Sequence, residues 1–293
     1  MPHILVLGAN GQLGTEIKNI CSNNQSFQWS FADIEELDLS QPDSIERYFQ
    51  TQGPFDWVIN CAAYTAVDRA EEEAEMAFRL NEGAVADILK ACSTQTKLLH
   101  VSTDYVFDGA HFTPYTEEDE PRPQGVYGKS KRAGEEAILN SDTHAIIVRT
   151  SWLYGVYGHN FVKTMLRLGR DKQTVRVVFD QIGTPTYAYD LAIAIIHLVQ
   201  QDLNGEKIHL GREIFHYSNE GVCSWYDFAQ EIFDVVKIKN SVVPIESKDY
   251  PTPTPRPFYS VLNKEKIKQQ YGLSIPHWKK SLHQALFLLY PVR

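Results

Sequence analysis

Residues 3–14, HILVLGANGQLG, join a short apolar run to a turn rich in glycine. Gly8, Gly11 and Gly14 follow the spacing G-x-x-G-x-x-G, and the residues after the turn have the pattern of a helix. Glycine permits a sharp turn and lets backbone N–H groups approach a diphosphate at the positive end of a helix dipole. The stretch therefore predicts a strand, turn and helix that bind a dinucleotide. A purely structural tight turn is the alternative.

The first half of the chain alternates apolar runs of strand length with amphipathic segments. The strand-like runs are 3–8, 56–63, 97–103 and 145–151. The helix-like segments are 12–22, 42–51, 72–93 and 127–141. Alternation of this kind predicts an α/β fold, a Rossmann-like doubly wound parallel sheet with helices on both faces.

The pattern changes after about residue 150, where Pro- and Gly-bearing loops separate the helical segments. Those segments are 159–170, 189–201, 224–236, 263–271 and 278–290. We expect residues 1–150 to form the NAD(P)-binding domain, joined by strands that return to its sheet near 175–179 and 206–210. The remaining segments of 151–293 then form a smaller, interleaved and mainly helical lobe.

Composition excludes several classes of function. The formal charge of −9 over 293 residues argues against general affinity for nucleic acid or an anionic membrane. The longest apolar run, 191–199, is about half of a membrane-spanning length. The four cysteines lack C-x-x-C spacing, and the ten histidines lack H-E-x-x-H spacing. We expect a cytoplasmic protein with no metal site, no nucleic-acid partner and no membrane partner.

Tyr127 and Lys131 lie four residues apart on a predicted helix and therefore share one face. An ammonium beside a phenol lowers a phenol pKa that is normally about 10, which would make Tyr127 an acid or base. The segment STDYVFDG, residues 102–109, ends a predicted parallel strand, where such sheets place ligands. The Thr103 hydroxyl there could hydrogen-bond the same carbonyl oxygen that Tyr127 protonates.

The glycine loop, the strand-end Thr and Tyr-x-x-x-Lys together resemble the extended short-chain dehydrogenase/reductase superfamily. Longer segments resemble the dTDP-4-dehydrorhamnose reductase family over nearly the whole chain. They are GANGQLG, NCAAYTAVDRAE, STDYVFDG, YGKSKRAGEE, RTSWLYG, NFVKTMLRLG, DQIGTPTY and RPFYSVL. The resemblance implies that NADPH or NADH reduces the C4 keto group of dTDP-4-dehydro-6-deoxy-L-mannose to give dTDP-L-rhamnose. It also implies that the second lobe binds this nucleotide sugar.

The resemblance implies roles for individual residues. The catalytic set is Tyr127 as proton donor, Lys131 as the group that lowers its pKa and holds the nicotinamide ribose, and Thr103. The cofactor-binding set is Gly8, Asn10, Gly11, Gln12, Leu13, Gly14, Asp33, Asp38, Leu39, Ala62, Ala63, Tyr64, Tyr127 and Lys131. The substrate-binding set is Thr103, Asp104, Trp152, Gln181 and Arg256. Asp33 and Asp38 have a second interpretation as solvated loop or capping residues, Trp152 as a core residue, and Arg256 as a rim residue.

Two further positions bear on assembly and helix shape. Some members of the family pair around Mg²⁺ held by glutamates, and Glu16 occupies one of those positions. The second position is Asp190, so a magnesium-bridged dimer is not expected, and both a monomer and a homodimer stay open. Asn81 matches an asparagine that kinks its helix around water in the superfamily, and a merely tolerated polar residue inside the helix is the alternative.

Two other functions stay open on the sequence. A nucleotide-sugar 4-epimerase or 4,6-dehydratase would use the same scaffold but retain tightly bound NAD. A regulatory subunit similar to the β subunit of methionine adenosyltransferase would bind a partner without turnover. The sequence does not decide between NADH and NADPH, or how strictly thymine is required.

Overall fold

The structure is a computed structural model that describes residues 1–22 and 26–290. Its strands are β1 (His3–Leu7), β2 (Gln28–Ala32), β3 (Trp57–Asn60), β4 (Lys97–Thr103), β5 (Ala145–Thr150), β6 (Leu153–Tyr154), β7 (Thr174–Val178), β8 (Ile182–Gly183), β9 (Thr186–Tyr187), β10 (Arg212–His216), β11 (Cys223–Ser224) and β12 (Ser241–Ile245). Its α-helices are α1 (Gln12–Cys21), α2 (Pro42–Gln52), α3 (Ala74–Phe78), α4 (Ala84–Ala91), α5 (Val126–Leu139), α6 (Phe161–Asp171), α7 (Ala188–Leu203), α8 (Trp225–Val236), α9 (Glu265–Tyr271) and α10 (Trp278–Leu289).

Six parallel strands form the main sheet in the order β10-β5-β4-β3-β1-β2. Helices cover both faces of this sheet, so both faces are buried. Successive side chains of a strand point to opposite faces. Ile4 and Val6 pack on the side of α1 and α7, whereas Leu5 and Leu7 pack on the side of α2 and α4. The predicted doubly wound α/β fold is confirmed. The strand order reverses between β1 and β3, which opens a crevice at their carboxyl ends.

The strands that were expected to return to the main sheet lie elsewhere. The segment 175–179 matches β7, but β7 pairs with β12 in a separate two-stranded sheet. The segment 206–210 is not a strand, and β10, which follows it, is the strand that pairs with β5. In the segment 206–210, the apolar side chains of Ile208 and Leu210 are 64% and 70% exposed. Their alternation along the sequence therefore does not mark the buried face of a strand. The predicted positions of the returning strands are therefore wrong.

The second half of the chain builds a separate apolar cluster. Helices α6, α8 and α10 contribute Val162, Phe228 and Leu282, which share this cluster with Val175 of β7 and Val242 of β12. The division into a cofactor domain at 1–150 and a nucleotide-sugar lobe at 151–293 stays a prediction, and residues 291–293 lie outside the described part. Across residues 1–22 and 26–290, no helix is both long and apolar enough to cross a membrane.

Candidate active site

The glycine loop lies where β1 and β3 end side by side. Gly8 has a φ of +73°, and a Cβ on it would lie 2.8 Å from the Ala62 nitrogen. A Cβ on Gly14 would lie 2.2 Å from the Gly8 carbonyl oxygen, so α1 and β1 approach as only glycine permits. Backbone atoms therefore form the bottom of the crevice at the N-terminus of α1. This cradle fits a dinucleotide, because a diphosphate can reach N–H groups there.

Asp33 and Asp38 hold the loops on the far side of this crevice. Asp33 accepts hydrogen bonds from the backbone N–H groups of Asn10 and Ile34, both at 2.8 Å. Asp38 accepts one from Ser40 N–H at 2.9 Å. Asp33 therefore orders the glycine loop through Asn10. A contact between either carboxylate and a ribose or adenine stays a prediction.

The loop that follows β3 is held by Asn81. The Asn81 amide accepts from Tyr64 N–H at 2.9 Å and donates to the Tyr64 carbonyl at 3.1 Å. It also donates to Ser130 Oγ on α5 at 2.9 Å. Around Asn81, residues Arg79–Gly83 form a π-helical turn between α3 and α4. The predicted helix 72–93 is thus interrupted, and its polar interior residue joins the loop bearing Ala62, Ala63 and Tyr64 to the helix bearing Tyr127.

Thr103 and Tyr127 meet at the carboxyl end of β4. Thr103 Oγ1 accepts from Tyr105 N–H at 3.2 Å and donates to Asp104 Oδ1 at 3.1 Å. Burial raises the pKa of Tyr127, and a side-chain hydrogen bond with Thr103 opposes that rise. Burial also raises the pKa of the Asp104 carboxyl to about 6. The tyrosine is therefore protonated at neutral pH and placed beside a second hydroxyl.

Lys131 is buried one turn from Tyr127, but it faces the sheet. Its Nζ lies 2.7 Å from the Val101 carbonyl oxygen and 3.1 Å from His100 Nε2. Burial lowers the pKa of Lys131 to about 8. The pKa of Tyr127 is raised, contrary to the expected lowering by Lys131, because burial dominates.

Arg256 reaches the same site from the proline-rich loop of the second half. Its Nη2 pairs with Asp68 Oδ2 at 2.7 Å, and its Nη1 lies 3.3 Å from the Tyr105 hydroxyl. The Tyr105 ring stacks edge-on against Tyr127, with centroids 5.5 Å apart. The Tyr105 ring thus lies between Arg256 and Tyr127. A guanidinium binds a phosphate as well as a carboxylate, so Arg256 can release Asp68 and bind a phosphate of a ligand.

Trp152 emerges two residues past β5, next to the strand that carries Thr103. Its φ is +47°, a conformation unusual for a bulky residue, and its ring stacks on Trp225 with centroids 3.6 Å apart. A Cβ on Gly183 would lie 2.6 Å from this ring. Gln181 lies nearby in sequence and donates to Ser247 Oγ at 2.9 Å. The structure brings Trp152 and Gly183 together, and their substrate role stays a prediction.

The chain matches the family model described as RmlD substrate binding domain over residues 2–290. The chain belongs to this family. It is 40% identical to a dTDP-4-dehydrorhamnose reductase of Aggregatibacter actinomycetemcomitans, covering 96% of this chain and 97% of the relative. It also resembles the crystal structure of a dTDP-4-dehydrorhamnose reductase from Clostridium acetobutylicum, with 38% identity, a TM-score of 0.91 and coverage of 98% and 99%. The Bacillus anthracis reductase, solved in complex with NADP, gives 36% identity, a TM-score of 0.91 and coverage of 98% and 100%. The resemblance seen in the sequence is confirmed.

Glu16 and Asp190, the two positions considered for magnesium, have different surroundings in this structure. Glu16 is buried on α1, and burial raises its pKa to about 7. Asp190 instead accepts from the Asn219 amide at 2.6 Å and from the Ser281 hydroxyl. Within residues 1–22 and 26–290, no group of three or more His, Cys, Asp or Glu is placed to hold a metal ion.

Sequence reasoning missed four buried polar residues around Lys131. Asn60 and His100 connect to it from β3 and β4, while Glu135 forms a bidentate ion pair with Arg149 of β5 at 2.8 and 2.7 Å. The available signal was a polar residue inside each of three apolar strands, since buried strands of this kind rarely carry one without a partner.

Proposed function

We propose that the chain is an NAD(P)H-dependent dTDP-4-dehydrorhamnose reductase. It reduces the C4 keto group of dTDP-4-dehydro-6-deoxy-L-mannose and forms dTDP-L-rhamnose. The observation that carries the proposal is the Thr103 and Tyr127 pair at the end of β4, two strands from the glycine cradle. Near-full-length relatives that bear the same reductase name support the choice of substrate.

The residues of this chain supply the proton and the positioning. Bound NAD(P)H supplies the hydride. Tyr127 keeps its proton at neutral pH because its pKa is raised, so it can donate that proton to the ketone oxygen as negative charge develops there. Thr103 supplies a second hydroxyl beside that oxygen. Its single O–H donates to Asp104 in the structure and would turn from that carboxylate to the ketone oxygen when the sugar binds.

The binding residues divide between the two sides of the site. Backbone at Gly8, Gly11 and Gly14 would hold the cofactor diphosphate. Arg256 would hold the diphosphate of the sugar nucleotide, leaving Asp68 when that ligand arrives. The stacked pair of Trp152 and Trp225 would form a wall of the sugar pocket.

The wider setting belongs to the same proposal. The enzyme acts as a monomer or homodimer in the cytoplasm, on a dTDP-sugar, without nucleic-acid or membrane partners. The formal charge of −9 supports the exclusion of nucleic acid.

The test is oxidation of NADPH and NADH by the purified protein with enzymatically prepared dTDP-4-dehydrorhamnose. Oxidation that depends on the keto sugar and yields dTDP-L-rhamnose supports the proposal and ranks the two cofactors. No oxidation by folded protein that still binds NAD(P)H would refute it and favour the regulatory-subunit function. Protein that purifies with NAD already bound would favour an epimerase or dehydratase.

A further inference from the structure

A buried hydrogen-bond chain runs from the β3 loop to Lys131. Ala62 N–H donates to Asn60 Oδ1 at 3.1 Å, and Asn60 Nδ2 lies 3.1 Å from His100 Nδ1. His100 Nε2 lies 3.1 Å from Lys131 Nζ, which in turn lies 2.7 Å from the Val101 carbonyl oxygen. Asn60, His100 and Lys131 are 2%, 0% and 1% exposed, so the protein groups themselves must satisfy one another.

The direction of each bond in this chain follows from the backbone N–H at its start. Ala62 N–H can only donate, so the Asn60 oxygen must face it and the Asn60 NH₂ must face His100. His100 Nδ1 is therefore an acceptor. A neutral imidazole with an unprotonated Nδ1 carries its proton on Nε2, where it points at Lys131.

That arrangement determines which form of Lys131 fits. An ammonium has donors only, so it would oppose the Nε2–H of His100, whereas a neutral amine has a lone pair that can accept it. The amine can still donate to the Val101 carbonyl. Turning the imidazole or the Asn60 amide to suit an ammonium would set two donors against each other elsewhere in the chain.

We propose that Asn60 fixes His100 as the tautomer protonated on Nε2, and that this N–H donates to the lone pair of a neutral Lys131 amine in the cofactor-free protein. His100 is then a positioning residue for Lys131, acting from the strand behind it. The assignment of Lys131 to catalysis rests on the proposed function, but the hydrogen-bond chain does not.

The electrostatic surroundings shift Lys131 toward the neutral amine. The groups that act on Lys131 are Glu135 on its own helix, Cys61 after β3 and His100 on β4. Glu135 and Cys61 both favour the ammonium, but Arg149 pairs with Glu135 and burial raises the pKa of the Cys61 thiol, so burial of Lys131 outweighs them. Burial, opposed by the charges of Glu135 and Cys61, lowers the pKa of Lys131 to about 8, and the bond donated by His100 Nε2–H to the neutral form lowers it further. The proposed reductase would therefore hold an uncharged Tyr127 and Lys131 pair before the cofactor binds.

The tautomer of His100 is the decisive measurement. Protein labelled with ¹⁵N-histidine is examined by long-range ¹H–¹⁵N correlation at neutral pH without cofactor, and H100Q identifies the signal. A protonated Nε2 with an unprotonated Nδ1 is expected. A protonated Nδ1, or an imidazolium, would overturn the proposal. The result does not depend on turnover, so failure of the reductase assay is a separate outcome.

Two variants test the cause of the tautomer. K131M removes the amine but keeps most of the stem, and it should retain the Nε2-protonated form because Asn60 sets it. N60D can still accept from Ala62 N–H but also accepts from Nδ1–H, so the tautomer should switch. In N60D, lysine labelled with ¹³C at Cε should show Lys131 titrating at least about one pH unit higher. A switch in K131M, or no switch in folded N60D, would refute the role of Asn60.

Discussion

Replacing Glu135 with glutamine tests the ion pair that ties helix α5 to strand β5. Both carboxylate oxygens of Glu135 accept from Arg149, at 2.8 and 2.7 Å, and the side chains are 0% and 1% exposed. A glutamine leaves the Arg149 charge buried without a counter-charge and turns an NH₂ group toward its donors. Removing one partner of a buried ion pair costs about 3–5 kcal/mol. We expect E135Q to lower the free energy of unfolding by this amount.

The assay is urea unfolding followed by circular dichroism, with E136Q as the matched control. Glu136 is the next residue of the same helix, its side chain is 55% exposed, and it pairs with Arg132 at the surface. Exposed pairs contribute about 0–1 kcal/mol, so E136Q should unfold almost as the unsubstituted protein does. If the free energy of unfolding of E135Q lies within about 1 kcal/mol of that of the unsubstituted protein, the buried pair is not important for stability.

The pair of Glu135 and Arg149 also predicts how the difference in the free energy of unfolding between the unsubstituted protein and E135Q depends on pH. Burial raises the pKa of Glu135, but the hydrogen bond and charge of Arg149 outweigh burial and leave it below its ordinary value of 4.5. A lowered folded-state pKa gives stability that is fully present above the unfolded value and is lost as pH falls through the folded value. The difference in the free energy of unfolding between the unsubstituted protein and E135Q should therefore be constant above about pH 5 and become smaller in acid. A gap that widens in acid would contradict this sign.

Three further substitutions test the site. Y127F should lose at least about 10²-fold in turnover while NAD(P)H binding, measured by fluorescence, is kept, because only the proton donor is removed; near-normal turnover would exclude that role. G14A should weaken cofactor binding at least about 10-fold, since its Cβ would lie 2.2 Å from the Gly8 carbonyl oxygen and must displace α1; unchanged affinity would show that the turn can relax. R256Q should raise the KM for the dTDP-sugar about 10-fold or more without changing cofactor affinity. The exposed control R122Q, whose Arg122 pairs with Glu120 at the surface, should leave KM unchanged; equal effects in both variants would exclude a specific anchor.

The parts of the site that depend on local sequence could be predicted. A single tight turn requires Gly8 and Gly14. Thr103 was inferred from its place at the end of one strand, and Tyr127 from its spacing to Lys131 on one helix. Each of these signals lies within a few residues, and their order along the chain together with the family resemblance indicated one site, in which their roles stay predictions. Strands β1, β3, β4 and β5 of the main sheet were predicted for the same reason, because strand and helix alternate regularly before residue 150.

The parts that depend on pairing across the chain could not be predicted. His100 reads as one polar residue in an apolar strand, and only strand order places it between Asn60 and Lys131. The strand β10 was missed in favour of 206–210 because Ile208 and Leu210 alternate like a strand although both are exposed. The pKa of Tyr127 was expected to fall because spacing reveals the neighbouring Lys131 but not the depth at which both are buried.

The contact between Gly8 and Ala62 also limits how the protein can diversify. At Gly8 there is no volume for even a methyl group, and at Gly14 the helix backbone already touches the turn. Random substitution at this floor is therefore eliminated for steric reasons before any selection on substrate. On the proposed roles of Trp152 and Arg256, descendants that accept a different sugar would arise through the loops bearing these two residues while the cofactor cradle is inherited unchanged.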